Sequence, residues 1–557
     1  MSLGKKNLFP KKDLSIIIVL LVISLALRLY QLGNVPNGLT VDEADMGYNS
    51  YSIIKTKADV YGKHLPLFFQ SLDDYKAAFG IYVPIPAILI FGLSEFSIRL
   101  IPAILGSITP ILIYFLLQLL YPKNRTLALI AAILAMFAPW NIQISRANLP
   151  YIELIFFYLI FSLLFFSSFK KPKLLLLSGV FLGLTLYVYY AAIIYLPLIF
   201  LFLFLIYREH FLKNIKLTLA AFLVLLIFFI PAINHYQTAS SRSRLNAISV
   251  LTPDITLPTS IKEIEQDQEN NFQLSTIFHN RRLIYFSAML DNYFDYFNPD
   301  YLFVNSKNIR YFYINNVGLF YLIELPFFIY GFYLLIKRRS QNDLFVISLL
   351  LIGPIPAMIT LGSPFPHRGI LLLLSIQLIT AVGISLFLQN LKKFSYSSQV
   401  KWGLVAIYSV SVYFFLHQYF VHSPREFTSE NDNGAWFSTV RDAIPKVNSL
   451  ADQYQKVVFT WSQGKLVPAV YFLFYNQINP QIMQKETAKW VNETPSYRQI
   501  YDQIANIEFR PINWEEDQKL KNALFIGYPE EFDQGARVID KTYLPNGGKH
   551  FLLVESR

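Results

Sequence analysis

The stretch GLTVDEADMGYNS, Gly38 to Ser50, places two adjacent carboxylates, Asp42 and Glu43, shortly beyond the end of a membrane-length apolar run. A carboxylate held against helix ends is partly desolvated. It can then be tuned as a general base or can hold a hydroxyl or amine nucleophile in place. The plainer alternative is a solvated outer loop in which acidic residues are common. Asp45 is expected to be a helix-start charge opening MGYNSYSIIKT, with Met46, Tyr48, Ser52 and Ile53 resting on the membrane interface. Further along come His64 and SLDDYKAAFGIY, with Asp73, Asp74 and Lys76. Asp42, Glu43, His64, Asp73 and Asp74 are all capable metal ligands. Their spacing follows no recognisable site pattern, so a divalent metal stays an open option and no metal site is assigned.

The elements that must position these groups are membrane helices. Of the 557 residues 54% are hydrophobic and only 15% charged, where soluble domains carry roughly 25%. Forty-nine Phe and 36 Tyr fit lipid-facing helices with aromatic anchors at the interface. Cys is absent, which excludes disulfides and Cys-ligated metal. The net charge of +11 does not point to nucleic acid, because Lys and Arg fall in short clusters between apolar runs. Hydropathy predicts eleven membrane helices, near 14–32, 96–121, 126–142, 150–169, 173–189, 191–207, 215–234, 316–336, 343–361, 368–389 and 402–420. The first has a basic head like a signal peptide but lacks a small-residue cleavage site, and it reads as a retained span. Phe79 to Leu93 is short, contains Pro84 and Pro86, and reads as re-entrant or interfacial.

Orientation follows from the basic residues. With the N-terminus cytoplasmic, every inside segment is basic, as in Lys5, Lys6, Lys11 and Lys12, Lys170, Lys171 and Lys173, or Lys337, Arg338 and Arg339. The short outside connections contribute only Arg146, with Arg368 at the edge of the next helix. This orientation puts 33–95, 235–315 and a tail from about 421 on the outer face of the cytoplasmic membrane. The tail alternates in KVVFTW, NALFIGYP and HFLLVES, predicting strands, with a helix in WFSTVRDAIPKVNSLADQYQ and a Gly turn in LPNGGKHFLLV. The predicted organisation is a polytopic α-helical region over 1–420, including the outer loops 33–95 and 235–315. A soluble extracytoplasmic mixed α/β domain follows over 421–557.

The order of a first helix ending in ALRLYQLG, then PNGLTVDE, an amphipathic helix, an acidic-plus-Lys element and FGLSEFSIRLIPAILG resembles the GT-C superfamily of polyprenyl-phosphate-sugar-dependent glycosyltransferases. Within it the likeness is to the protein O-mannosyltransferases and lipid A aminoarabinose transferases (glycosyltransferase family 39-like). The resemblance implies Asp42 as catalytic base, with Glu43 beside it. It also implies that Lys76, Asp73, Asp74, Arg146, His367 and Arg368 bind substrate or the donor phosphate. Relatives often carry Lys followed by Pro where this chain reads DDYKAAFG, a departure at Lys76. Arg suits a phosphate because its planar fork donates two hydrogen bonds, although Arg146 and Arg368 could equally snorkel to headgroups. Glycosyl transfer passes through an oxocarbenium-like state that a nearby carboxylate stabilises. A single displacement would invert the anomeric centre.

Other positions are open to either reading. Glu153 lies two turns beyond Arg146; Glu324 sits in an apolar run two residues before Pro326; Arg28 is near the outer end of the first helix. The middle loop pairs Arg242, Arg244, Arg281 and Arg282 with the aromatic run DNYFDYFNPDYLF, which could clamp phosphate and stack on sugar or simply lie on the membrane. The implied partners are the bilayer, a polyprenyl-phosphate-linked sugar and a protein, lipid or glycan acceptor, with no nucleic acid. A transporter or flippase for lipid-linked glycans is the rival class. It predicts charges deep in several helices and matching broken helices, and neither is evident.

Overall fold

The computed structural model describes all residues except 1–10, 73, 239–248, 252, 306–313, 363, 427–435, 462–466, 490–500 and 557. The chain divides into two compact units: Met1–Arg28, Leu105–Ile144 and Tyr151–Phe415; and Leu29–Ile104, Ser145–Pro150 and Leu416–Arg557.

The first unit is helical. Helical segments overlap the eleven positions predicted to be membrane helices, with ends set by local chemistry, although fewer of them are long enough to span. The predicted 126–142 segment is Arg125–Phe137 followed by Pro139–Ile144, and 343–361 is Gln341–Ile352 followed by Ile355–Met358. Both breaks fall at a proline, which has no N–H for the helix ladder. The predicted 316–336 segment becomes a helix only at Leu325, where Pro326 sits in the first turn. Among the described residues of the whole chain, six helices are long and apolar enough to cross a membrane: Glu95–Leu120, Tyr151–Ser168, Ile215–Tyr236, Gln341–Met358, Ile370–Leu391 and Ser397–Arg425. Leu14–Leu29, Arg125–Phe137, Leu174–Tyr187 and Ala192–Ile206 are shorter apolar helices. With lipid on one side, helices gain little from apolar contact alone and pack through close backbone approach. The Leu325–Arg338 and Ile370–Leu391 helices do so at two glycines. A Cβ on Gly331 would lie 2.1 Å from the Ile379 carbonyl oxygen, and one on Gly383 2.0 Å from that of Phe327.

The second unit joins the first outer loop to the C-terminal segment. Helix α1, Val41–Thr56, follows directly on Thr40. It is succeeded by an antiparallel hairpin, β1 Phe68–Ser71 and β2 Asp74–Ala77. The short helices Phe79–Tyr82 and Ile85–Phe91 occupy the stretch expected to be re-entrant or interfacial, and Leu89, Ile90 and Phe91 are exposed there. The C-terminal strands are β3 Lys456–Phe459, β4 Gln503–Ile504, β5 Ile507–Phe509, β6 Ala523–Gly527, β7 Arg537–Tyr543 and β8 Lys549–Glu555. They form one mixed sheet in the order β4-β5-β3-β6-β8-β7, parallel at β5-β3-β6 and antiparallel elsewhere. The helices Ser438–Ala451 and Pro468–Tyr475 complete the mixed α/β character predicted from alternation and helical periodicity. Leu39, Ala44 and Tyr48 share one apolar cluster with Val440, Ile444, Phe459, Phe472 and Leu553, so the outer loop and the tail bury a single core.

Introducing Gly383→Leu should abolish monodisperse protein in detergent, read by fluorescence-detected size exclusion. Gly403→Leu, where a Cβ meets nothing within 4 Å, should leave the elution profile unchanged.

Candidate functional site

Helix α1 begins at Val41 because Thr40 caps it. The Glu43 backbone N–H donates to Thr40 Oγ1 at 3.0 Å, and the Thr40 N–H donates back to Glu43 Oε2 at 3.2 Å. This reciprocal capping box satisfies two N–H groups that the first turn leaves open. Asp45 is therefore in the second turn and not at the helix start as expected; the Thr-x-x-Glu signal that begins five residues earlier, at Thr40, sets the boundary. Consecutive residues on a helix point about 100° apart, whereas residues three apart share a face. The adjacent carboxylates are divided by that geometry, and Asp42 goes with Asp45.

Asp45 is buried and accepts from Ser71 Oγ at 2.5 Å. That bond fixes the β1-β2 hairpin beside α1. Ser50 adds a second tie through its hydroxyl to the Ile81 carbonyl at 2.6 Å. Held this way, Lys76 on β2 donates from Nζ to Asp42 Oδ1 at 2.7 Å. The two side chains keep 17% and 27% of their surface exposed, so this ion pair faces open space.

Glu43 turns inward and is fully buried with Arg99. Arg99 Nε donates to Oε1 at 2.9 Å and Nη2 to Oε2 at 3.0 Å, the planar bidentate pairing that guanidinium geometry favours. The Asn148 backbone N–H adds a 2.9 Å bond to Oε1. The remaining Arg99 donors reach the carbonyls of Leu32 at 3.5 Å, Pro36 at 2.9 Å and Gly38 at 2.5 Å. The guanidinium lies over the Trp436 ring, 5.4 Å from its centroid. With four donors on its oxygens, Glu43 has no room for a proton-transfer partner. It corrects the expectation of two reacting carboxylates: Glu43 fastens the segment that carries Asp42.

Arg146 is also fully buried. Its Nη2 donates to the Val35 carbonyl at 2.8 Å, and the head sits 4.9 Å from the Phe420 ring centroid and 5.5 Å from that of Tyr419. Burial lowers its pKa, and the nearby Tyr419 hydroxyl opposes that shift. These surroundings tie Arg146 to its own chain and leave it no open face for a phosphate. Gly38 completes the strap between Leu32 and Thr40. It has a φ of +88°, and a Cβ there would lie 2.4 Å from the Ser438 backbone nitrogen, so only glycine fits.

His64 lies on an exposed turn paired with Ala58 and is not gathered beside the capped helix start. Asp74 pairs in register with Ser71, while Asp73, Arg242 and Arg244 lie outside the described residues. Among the described residues, no three His, Asp or Glu side chains form a metal-ligand set. Arg99 escaped the sequence reading, although a basic residue inside an apolar helix start was a usable signal.

His367 and Arg368 belong to the first unit. His367 is buried and stacks on Tyr151 with centroids 4.6 Å apart. Arg368 Nη1 donates to Thr360 Oγ1 and to the Leu361 carbonyl, both at 2.7 Å, over the Phe365 ring. The aromatic run of the middle loop packs onto this segment, where the Phe365 N–H donates to the Tyr296 hydroxyl at 2.9 Å. Arg28 is not at a headgroup; it is buried and donates to Ser24 Oγ and Asn141 Oδ1, both at 2.8 Å. Glu153 and Glu324 are buried, and among the described residues neither carboxylate has a hydrogen-bond partner.

The fold is shared with ArnT from Cupriavidus metallidurans in the apo state, at a TM-score of 0.55 and 11% identity, covering 98% of this chain and 99% of that one. It is shared also with the archaeal oligosaccharyltransferase AglB from Archaeoglobus fulgidus, at a TM-score of 0.50 and 14% identity, covering 84% of this chain and 63% of that one. The chain thus spans less than two thirds of the archaeal protein's length. The family model for dolichyl-phosphate-mannose-protein mannosyltransferase matches residues 84–235, a stretch holding Arg99 and Arg146 but beginning beyond Asp42 and Lys76. No curated protein matches the sequence. The fold is thus one found in ArnT and in the oligosaccharyltransferase AglB, and together with the mannosyltransferase model over part of the chain it agrees with the resemblance to the GT-C glycosyltransferases.

Removing one partner of a buried ion pair strands the other and costs about 3–5 kcal/mol. Glu43→Ala should lower thermal stability markedly in a detergent unfolding assay, whereas Asp42→Asn, at a partly exposed pair worth about 1 kcal/mol or less, should shift it little.

Proposed function

We propose that the protein is an integral-membrane glycosyltransferase that moves a sugar from a polyprenyl-phosphate-linked donor to an acceptor on the outer face of the cytoplasmic membrane. Asp42 acts as the base. The observation that carries this reading is the partly exposed Asp42-Lys76 pair, presented at a capped helix start and backed by the buried Glu43-Arg99 cage. The mannosyltransferase description of the matching family model and the dolichol phosphate held in the archaeal oligosaccharyltransferase structure support the donor class.

In this mechanism the acceptor hydroxyl attacks the anomeric carbon and its proton passes to Asp42. The bond from that carbon to the lipid phosphate oxygen breaks, and the phosphate leaves with the electron pair, inverting the centre. Protonation of Asp42 releases the Lys76 ammonium from its pairing, so that charge becomes available to the leaving phosphate. Glu43, Arg99 and Arg146 act by holding the strap that aims Asp42. His367 and Arg368 are assigned to donor binding, Arg368 with its preformed fork. Asp73 and Asp74 are assigned to substrate binding. The soluble segment 421–557 selects the acceptor. No metal is invoked, because the proton and the charge are both accounted for by Asp42 and Lys76.

Removing a positioned base costs about a hundredfold to ten-thousandfold in rate. Asp42→Asn, reconstituted with labelled lipid-phosphate sugar, should lose transfer by at least that lower figure while retaining donor binding; turnover at the wild-type rate would overturn the assignment. Arg368→Ala should raise the apparent Michaelis constant for the donor, and an unchanged constant would return Arg368 to a helix-end anchor.

A further inference from the structure

The strap that leads into Asp42 has a second face. Between Gln31, Asn34 and Asn37 on the strap and Phe420, Arg425 and Arg441 from the C-terminal part of the same unit lies an open cleft of about 480 Å³. That volume is within the range of small-molecule sites. Among the described residues, none of those that line it is acidic. Its walls are fastened to each other: Asn37 Nδ2 donates to the Pro424 carbonyl at 3.1 Å, and Arg441 Nη2 donates to Asn37 Oδ1 at 3.0 Å. Arg441 is further anchored by two carboxylates, donating from Nε to Asp442 Oδ1 at 3.0 Å and lying 3.6 Å from Glu95, so its guanidinium is held in place and its charge is already paired. Arg425, at the end of the long Ser397–Arg425 helix, is exposed, and among the described residues it has no hydrogen-bond or ion-pair partner. Asn34 is exposed on the facing wall.

This is a chemically specific lining. Guanidinium groups recognise carboxylate or phosphate, side-chain amides both donate to and accept from hydroxyls, and the Phe420 ring offers an apolar surface to a sugar face. The cleft is also tied to the base. Asn37 is five residues from Asp42, a separation that an extended chain spans in at most about 18 Å. The Val35 and Pro36 carbonyls between the cleft and α1 are the ones gripped by Arg146 and Arg99. The cleft and the base are thus carried on one strap.

We propose that this cleft binds the acceptor, and that the acceptor is an anionic, hydroxyl-bearing oligosaccharide carrying carboxylate or phosphate. Arg425 binds its charge, and the strap amides, with Arg441 fixed behind them, bind its hydroxyls. The proposal rests on the glycosyltransferase reading for its meaning, but its test does not. Full-length protein in phosphatidylcholine nanodiscs is titrated with fluorescent tetragalacturonate and with neutral maltotetraose as control. Tetragalacturonate should bind more tightly than maltotetraose. Arg425→Glu should weaken its binding by about tenfold or more, the factor that corresponds to about 1.4 kcal/mol, and Asn34→Asp should weaken it in the same direction. Both substitutions are at exposed positions, so folding is checked by an unchanged elution profile.

Equal affinity for the two tetrasaccharides, or undiminished binding by Arg425→Glu, would overturn the proposal. Loss of binding in nanodiscs containing phosphatidylglycerol would also overturn it, by assigning the cleft to a lipid headgroup. Asp42→Asn should bind tetragalacturonate normally. If that variant binds normally and also transfers sugar at the wild-type rate, the base assignment fails and the cleft stands. If it is inactive while Arg425→Glu binds unchanged, the cleft fails and the enzyme reading stands.

Discussion

The buried Arg99-Glu43 pair is the constraint from which the second unit of this protein is built. Two opposite charges taken fully out of water must satisfy each other and nearly every remaining hydrogen-bonding group, or the desolvation cost is not recovered. Here the guanidinium completes itself on three carbonyls of the strap, and the carboxylate completes itself on the α1 cap and the Asn148 N–H. Three stretches of chain far apart in sequence are thereby locked to one point. The lock is polar, yet it sits beside an apolar cluster that the outer loop and the tail share.

Once that point is fixed, the direction of Asp42 follows. The helix begins at Thr40, so Glu43 faces the lock and Asp42 faces away from it. The buried Asp45-Ser71 bond brings the hairpin to the same face as Asp42, and Lys76 arrives with it. A surface ion pair contributes little stability by itself. Its value lies in charge held at a defined place, and the rigidity comes from the buried residues behind it. The strap is shared in the same way, since its inner carbonyls belong to Arg99 and Arg146 while its outer amides line the cleft.

The membrane part shows a different balance. Lipid offers no hydrophobic gain for helix association, so close contact at Gly331 and Gly383 and internal hydrogen bonds such as Arg28 to Asn141 carry the packing. Arg28 illustrates how a basic residue near a helix end need not reach for headgroups when a side-chain amide is available inside. Glu153 and Glu324, buried without hydrogen-bond partners among the described residues, are held without such compensation.

The sequence by itself determined what periodicity and composition record. The apolar runs marked the helices, the alternation in KVVFTW, NALFIGYP and HFLLVES marked β3, β6 and β8, and the first-loop pattern carried the likeness to the GT-C class. These features are local, set by the solvent each segment must face. The helix start at Thr40 was legible too, in its Thr-x-x-Glu box, but Asp45 drew the boundary one turn late. Only the tertiary structure decided that adjacent Asp42 and Glu43 do different work, that Arg99 is the partner of Glu43, and that Lys76 comes to Asp42 while His64 does not. Pairing across dozens of residues depends on which faces are buried against which. No local pattern encodes that, so the lock and the cleft became visible only once the outer loop and the tail were folded around one core.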